Sequence, residues 1–209
     1  RYVLENKLWK EAAALPMPSL HLPWEKFPWQ KAIIHFTRLL GSVHTGNLDS
    51  AKAELKKLTE IRQALMDQKD DYKAGQVQIQ VKTGEAWIFL KEGKSKEALT
   101  SMKAAASMEN KTEKHPVTPG EVLPAMELLA DMLLQLNKPA EALYAYEASL
   151  KKHPNRFNGL YGAALASERN NNPEKATFYY QQLLAITNSG TAVRQELQAA
   201  KGFLKKKDN

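Results

Sequence analysis

The sequence predicts an all-α fold, a solenoid of helical hairpins closed by a C-terminal capping helix. Three observations predict it. Apolar residues recur at three- and four-residue spacing along most of the chain, a 34-residue period shows near its end, and Gly, Pro and Asn punctuate the helical runs where turns are needed.

The period is carried by NKPAEALYAYEASL from Asn137 and NNPEKATFYYQQLL from Asn171, in which Asn137/Asn171, Pro139/Pro173, Ala142/Ala176, Tyr146/Tyr180 and Leu150/Leu184 coincide. Asn closes a turn, and Pro fits the first turn of a helix, where its missing N–H costs little. The small Ala lets two helices approach, while Tyr and Leu, four and eight residues further on, fall on the same face. Two earlier stretches fit more loosely: HTGNLDSAKAELKKL with Gly46, Ala51 and Leu55, and KEGKSKEALTSMKAA with Gly93, Ala98, Met102 and Ala105. The alanine spacing runs 47, 44 and 34 residues, so the first two units carry extra length.

In chain order, residues 1–15 read as the remnant helix of an earlier repeat and 16–29 as a connector. Helical hairpins follow at 30–67, 70–110, 119–153 and 156–187, then a capping helix at 190–206, all in a single domain spanning 1–209. The connector, PMPSLHLPWEKFPW, combines Pro with Trp24, Phe27 and Trp29 and reads as a strap anchored by its rings. QVQIQV, with Val77, Ile79 and Val81 alternating with Gln, would suit a strand, but its helical flanks and the lack of a pairing strand decide for helix. Between the second and third hairpins, TPGE has the form of a capping box, with Thr118 as N-cap, Pro119 at the first helical position and Glu121 reaching back. Pro124 then falls inside the expected helix and should kink it or move its start.

These residues resemble the tetratricopeptide repeat. Ala142, Tyr146 and Pro154 match the small residue, aromatic and closing Pro of its second helix, and Leu129 with Ala130 matches a large-then-small pair in its first. The next unit keeps Ala176 and Tyr180 but has Asn188 in place of Pro. The run from EKHPVTPGEVLP to NGLYGAALA resembles the C-terminal part of bacterial proteins built from such repeats, and WQKAIIHFTRLLGSVHTGNLDSAKAEL resembles their preceding units. The resemblance implies a right-handed α-α solenoid, a bacterial origin and a weak tendency to export, and it transfers no activity.

Composition narrows the function. With 209 residues, 43% hydrophobic and 25% charged, the chain can bury a real core. No run approaches a membrane span, so the expectation is a soluble protein, bacterial cytoplasmic or exported. The opening RYVLENKLW lacks an initiator Met and a signal-peptide core and reads as a fragment or processed product. Net charge is +7, but six of thirty basic residues are Arg and the Lys are interspersed with acids, which argues against nucleic acid.

Catalytic patterns are missing. His21, His35, His44, His115 and His153 include no pair at three- or four-residue spacing, and there is no Cys, HExxH, phosphate loop or GxSxG. His35 and His44 share a helix but, nine residues apart, face opposite sides. GLYGAA at 159–164 reads as close helix packing. No enzyme activity, metal or cofactor is expected.

The sequence therefore points to a non-enzymatic scaffold that binds a protein or peptide on the concave face of its first helices. Residues one turn apart supply the candidate face: Trp87 and Lys91, Glu127 and Asp131, Tyr161 and Leu165, with Arg169 nearby. Trp87 and Tyr161 would form an aromatic floor and the two acids a wall, suited to an extended peptide with basic and apolar side chains. Glu127, Asp131, Asn158 and Tyr161 do not match a clamp for a C-terminal carboxylate. His115, Thr118 and Glu121 form a candidate functional loop. Alternatives are self-association through an exposed first hairpin, a segment of a larger repeat protein, RNA binding, or a metal-dependent activity drawing on His115 and His35.

Overall fold

A computed structural model describes residues 1–18, 21–112, 121–187 and 194–207, and among these every regular element is helical. The helices are α1 (Tyr2–Glu5), α2 (Trp9–Ala13), α3 (Pro28–His44), α4 (Leu48–Asp67), α5 (Asp71–Lys91), α6 (Ser95–Lys111), α7 (Ala125–Gln135), α8 (Pro139–Lys152), α9 (Phe157–Arg169), α10 (Pro173–Thr187) and α11 (Gln195–Lys207), with a 3-10 turn at Trp24–Lys26. Neighbours in sequence are neighbours in space. α2 through α6 pack consecutively, and α3 also meets α5. In the later part α8, α9, α10 and α11 do the same.

Local chemistry explains the hairpins. The first helix of each ends on a left-handed residue: Gly46 (φ 86°), Gly93 (φ 78°), Asn137 (φ 55°) and Asn171 (φ 52°). Glycine and asparagine tolerate this region best. In every case the left-handed residue bonds the carbonyl three back and its successor the carbonyl five back, as in Gly46 to Val43 (3.1 Å) and Asn47 to Ser42 (2.8 Å). This is the Schellman closure, which satisfies carbonyls that a helix end leaves open. The turn at Lys69 (φ 58°) between α4 and α5 is built the same way.

Five residues after each left-handed position stands the repeat alanine, at 51, 98, 142 and 176. Each is the fourth residue of its helix, α4, α6, α8 or α10, and each is 0% exposed. The segment QVQIQV lies inside α5, as its flanks suggest. Alternation does no harm there, because α5 is buried on several sides, with Val77, Ile79, Gln80, Val81, Thr83 and Trp87 all inside.

Several boundaries differ from the sequence reading. The chain forms two compact units, 1–125 and 126–209, and the division follows the proline-rich run. Residues 1–15 hold two short helices, broken by left-handed Lys7 (φ 53°). α3 starts at Pro28, with Trp29 buried, Trp24 half-buried and Phe27 41% exposed, so Phe27 is the ring of the connector that does not anchor it. The largest shift is in α7, which begins at Ala125 and not at 119. Pro124 moves the start, because a proline disfavours helical backbone at the residue before it, here Leu123. The freed N–H of Ala125 is then accepted by both oxygens of Glu109 from α6, at 2.9 and 3.0 Å. Glu121 lies outside any helix and is not the third residue of a capping box, while Thr118, Pro119, His115 and Asn188 lie outside the described residues.

Because the repeat alanines have no exposed surface, Ala142→Trp and Ala176→Trp should each overpack a helix contact and cost roughly 1–3 kcal/mol or more. Thermal melts matching the parent would show that these positions are not the points of closest approach.

Candidate functional site

The candidate face divides between the two units. In the first, Trp87 and Lys91 lie one turn apart at the end of α5. Trp87 is 1% exposed and belongs to the core, while Lys91 is exposed. His44 lies between two indoles, stacked on Trp9 (4.0 Å, 18°) and tilted against Trp87 (4.6 Å, 57°). This sandwich fastens α2 to α3 and α5. Gly41, one turn earlier, permits it, since a Cβ there would stand 2.2 Å from the backbone nitrogen of Ala13. Burial pushes the His44 imidazole down to about 4, with Lys91 and Lys7 adding repulsion. His35, on the opposite face of α3, is buried and bonds Glu54 of α4 through Nδ1 at 2.5 Å.

The same unit holds a cavity of about 20 Å³, which the sequence reading did not foresee. Gln76, Gln80 and Thr83 of α5 supply its polar wall, Glu109 and Glu121 its acids, and Phe36 and Leu123 its apolar sides. Gln80 is 8% exposed, and its side-chain oxygen has no hydrogen-bond partner. The glutamines of QVQIQV were the available signal: on a helix buried on several sides, some of them must face inward.

In the second unit, the expected acidic wall of α7 is tied up internally. Glu127 is 2% exposed and takes a two-pronged bond from Arg156, Nε to Oε2 and Nη2 to Oε1, both 2.8 Å. Gly159 leaves the carboxylate room, since a Cβ there would lie 3.1 Å from Oε2. Asp131 accepts the hydroxyl of Tyr146 at 2.5 Å. Burial, reinforced by Asp131, pushes the Tyr146 hydroxyl well above the usual phenol range. The Tyr146 ring occupies space that only Gly162 provides, since a Cβ at 162 would come within 2.2 Å of it. GLYGAA is thus a surface of close helix approach. Tyr180 repeats the device, donating to Glu168 at 3.0 Å.

Tyr161, Leu165 and Arg169 lie at four-residue intervals and so form one stripe along α9. Tyr161 and Leu165 are half-buried, with the Tyr161 ring 6.3 Å from that of Tyr180, and Arg169 is exposed. Arg169 makes a long 3.5 Å bond to the Leu134 carbonyl, which leaves its charge facing solvent.

Among the described residues no group of three or more His, Asp or Glu could hold a metal ion, and no helix is long and apolar enough to cross a membrane. Comparison with protein-family models, with curated proteins and with solved structures finds no match.

Two outcomes follow from this geometry. His44 is neutral when folded and protonates more readily when unfolded. Its contribution is complete above pH 6.5 and fades as pH falls toward about 4. The loss should be on the order of 3 kcal/mol. Urea titrations from pH 7 to 4 should show it in the parent and a flatter profile in His44→Phe, and equal slopes would mean that His44 is not held neutral. Secondly, Glu127→Leu takes the buried carboxylate away from the half-buried Arg156 and should cost about 3–5 kcal/mol, part of which Arg156→Leu restores. A double variant no more stable than the single one would show that the guanidinium is not the strained group.

Proposed function

We propose that the chain is a tetratricopeptide-like scaffold, its hairpins coiling as a right-handed solenoid, which binds a protein or peptide without catalysing a reaction. The shared register supports the family reading: four hairpins turn on a left-handed residue and bury an alanine five residues later. A repeat protein of this kind acts through a surface rather than through reactive groups. The step from fold to function is analogy, so the surface itself has to carry it.

The observation that carries it is the α9 stripe. Tyr161 and Leu165 keep apolar surface half-exposed, and Arg169 at its end presents a charge that no carboxylate covers within bonding distance among the described residues. The ligand class shifts accordingly. Glu127 and Asp131 are committed to Arg156 and Tyr146, so they cannot select basic side chains on this face. An apolar side chain laid on Tyr161 and Leu165, followed by a carboxylate reaching Arg169, fits instead, because such anchors dominate peptide recognition. Trp87 and Glu127 serve the reading as framework, and Lys91 remains an exposed contact in the first unit.

A library of fluorescent dodecapeptides varied in charge and hydrophobicity tests this by anisotropy. The tightest ligands should combine an aliphatic or aromatic residue with an acid, and Arg169→Ala should weaken them about tenfold or more while leaving the melt unchanged. Tyr161→Ala should weaken them too, with some loss of stability, because the ring packs beside the Leu160 and Tyr180 cluster. Absence of any binding, or binding indifferent to both substitutions, would overturn the reading.

A further inference from the structure

We propose that the outer face of α10 is a contact surface for a second copy of this chain, the two copies meeting about a two-fold axis at Gln182. The surface lies wholly within the second unit, and the proposal is independent of the peptide-binding reading.

The 34-residue register lets α8 and α10 be compared position by position. On α8 the positions away from the core read as an ordinary solvated face: Tyr144, 75% exposed and tipped with a hydroxyl, then Glu147, Lys151 and Lys152. Their counterparts on α10 are Phe178, Gln181, Ala185 and Ile186, so one hydroxyl and three charges are exchanged for groups without them. From Ala176 to Thr187 the helix carries no charged residue at all. This face is nevertheless open, with Phe178 52% and Ile186 39% exposed, and Gln181, Gln182 and Ala185 exposed between them. Packing inside the unit does not account for the exchange, because α10 spends Ala176, Tyr180 and Leu183 on its buried side, where they meet Leu160, Ala164 and Ala200. A face meant only for water gains nothing by losing its charges. The core of a protein interface is depleted in charge and enriched in aromatic residues, which is the direction of the change.

The chemistry of the face selects the occupant. Without formal charge, it offers nothing to a ligand recognised by its charge, and it complements itself. About a two-fold axis each residue on the axis meets its own counterpart, so a charge there would face an equal charge. Gln182, in the middle of the exposed run, carries both donors and an acceptor and can exchange two hydrogen bonds with the same residue of a second copy. Phe178, Gln182 and Ile186 are spaced by four and form one ridge. Ridges of this kind interdigitate in the commonest class of helix packing, at a crossing angle of about −50°. An antiparallel crossing at Gln182 sets Phe178 of each copy beside Ile186 of the other, covering the exposed ring and the exposed aliphatic chain together. The patch is small, so the pairing is weak, with a dissociation constant on the order of 10–100 µM.

Sedimentation equilibrium on the whole chain, from about 1 µM to 1 mM, should show a monomer–dimer equilibrium. Gln182→Glu and Gln182→Lys should each be monomeric over that range, because each sets like charges on the axis, and an equimolar mixture of the two should dimerise at least as tightly as the parent. Phe178→Ser should weaken the dimer roughly tenfold or more. Both positions are exposed, and thermal melts verify that the variants keep the fold. The chain has no Cys, so a single introduced cysteine reports on proximity. Gln182→Cys should form an interchain disulfide, whereas Glu174→Cys, two turns away and so roughly 20 Å or more from its counterpart, should not. Arg169→Ala should dimerise as the parent does; loss of the dimer there would place the contact on α9 and overturn the proposal, which is thereby tested apart from the peptide reading. A parent that stays monomeric to the top of the range, a dimer indifferent to charge at 182, or a disulfide through Glu174→Cys without one through Gln182→Cys would overturn it as well, and leave the face to solvent or to a partner of another kind.

Discussion

The closeness of helix to helix, set by a few residues without side-chain bulk, is the constraint on which the remaining structure depends. A left-handed Gly or Asn fixes where the second helix of a hairpin begins, and the alanine five residues later then falls against its neighbour with no room to spare. Turn and contact are coupled: moving one by a residue would rotate the other about 100° out of the interface. The same constraint acts in reverse on α9, where Gly162 yields space to the Tyr146 ring and Gly159 to the Glu127 carboxylate. Only because the backbones come this near can the Tyr146 hydroxyl reach Asp131, and Arg156 reach across to Glu127.

That constraint has a functional cost. Side chains with useful chemistry on the first helices are drawn into holding neighbouring helices, and a buried ion pair fixes an arrangement more surely than it stabilises one. What closeness does not consume is the outer stripe of α9 and, in the first unit, a polar cavity where helix packing is incomplete.

Much of the fold could be read from residue type alone, because its determinants are local. Gly46, Gly93, Asn137 and Asn171 mark turns by backbone preference, and the alanines follow at fixed distance. Trp87, Glu127 and Asp131 were legible as one-turn pairs but not as buried or committed, since their partners His44, Arg156 and Tyr146 come from other helices. Helical spacing says which residues share a face; it does not say what the face meets. Gly41 gave no sign that it seats α2, because the requirement comes from the backbone of residues 9–13 and not from its own conformation. The cavity was hidden for a similar reason, as Gln80, Glu109 and Glu121 converge from three separate segments.

The proline-rich interruption between the second and third hairpins connects these themes. Had the TPGE capping box set the start of α7, residues 121–124 would have been its first turn and would have turned their side chains around a helix axis. Pro124 prevents this by disfavouring helical backbone at Leu123, and the first N–H of the delayed helix is satisfied by a carboxylate sixteen residues earlier in sequence. Residues 121–123 are thereby left outside any helix along the side of α5, with Leu123 buried and Glu121 beside Gln80 in the cavity lining. The delay of one helix by a single proline is thus what places an acid and an apolar wall opposite the buried glutamine. The interruption that looked like a lapse in the repeat is the element that completes the polar cavity.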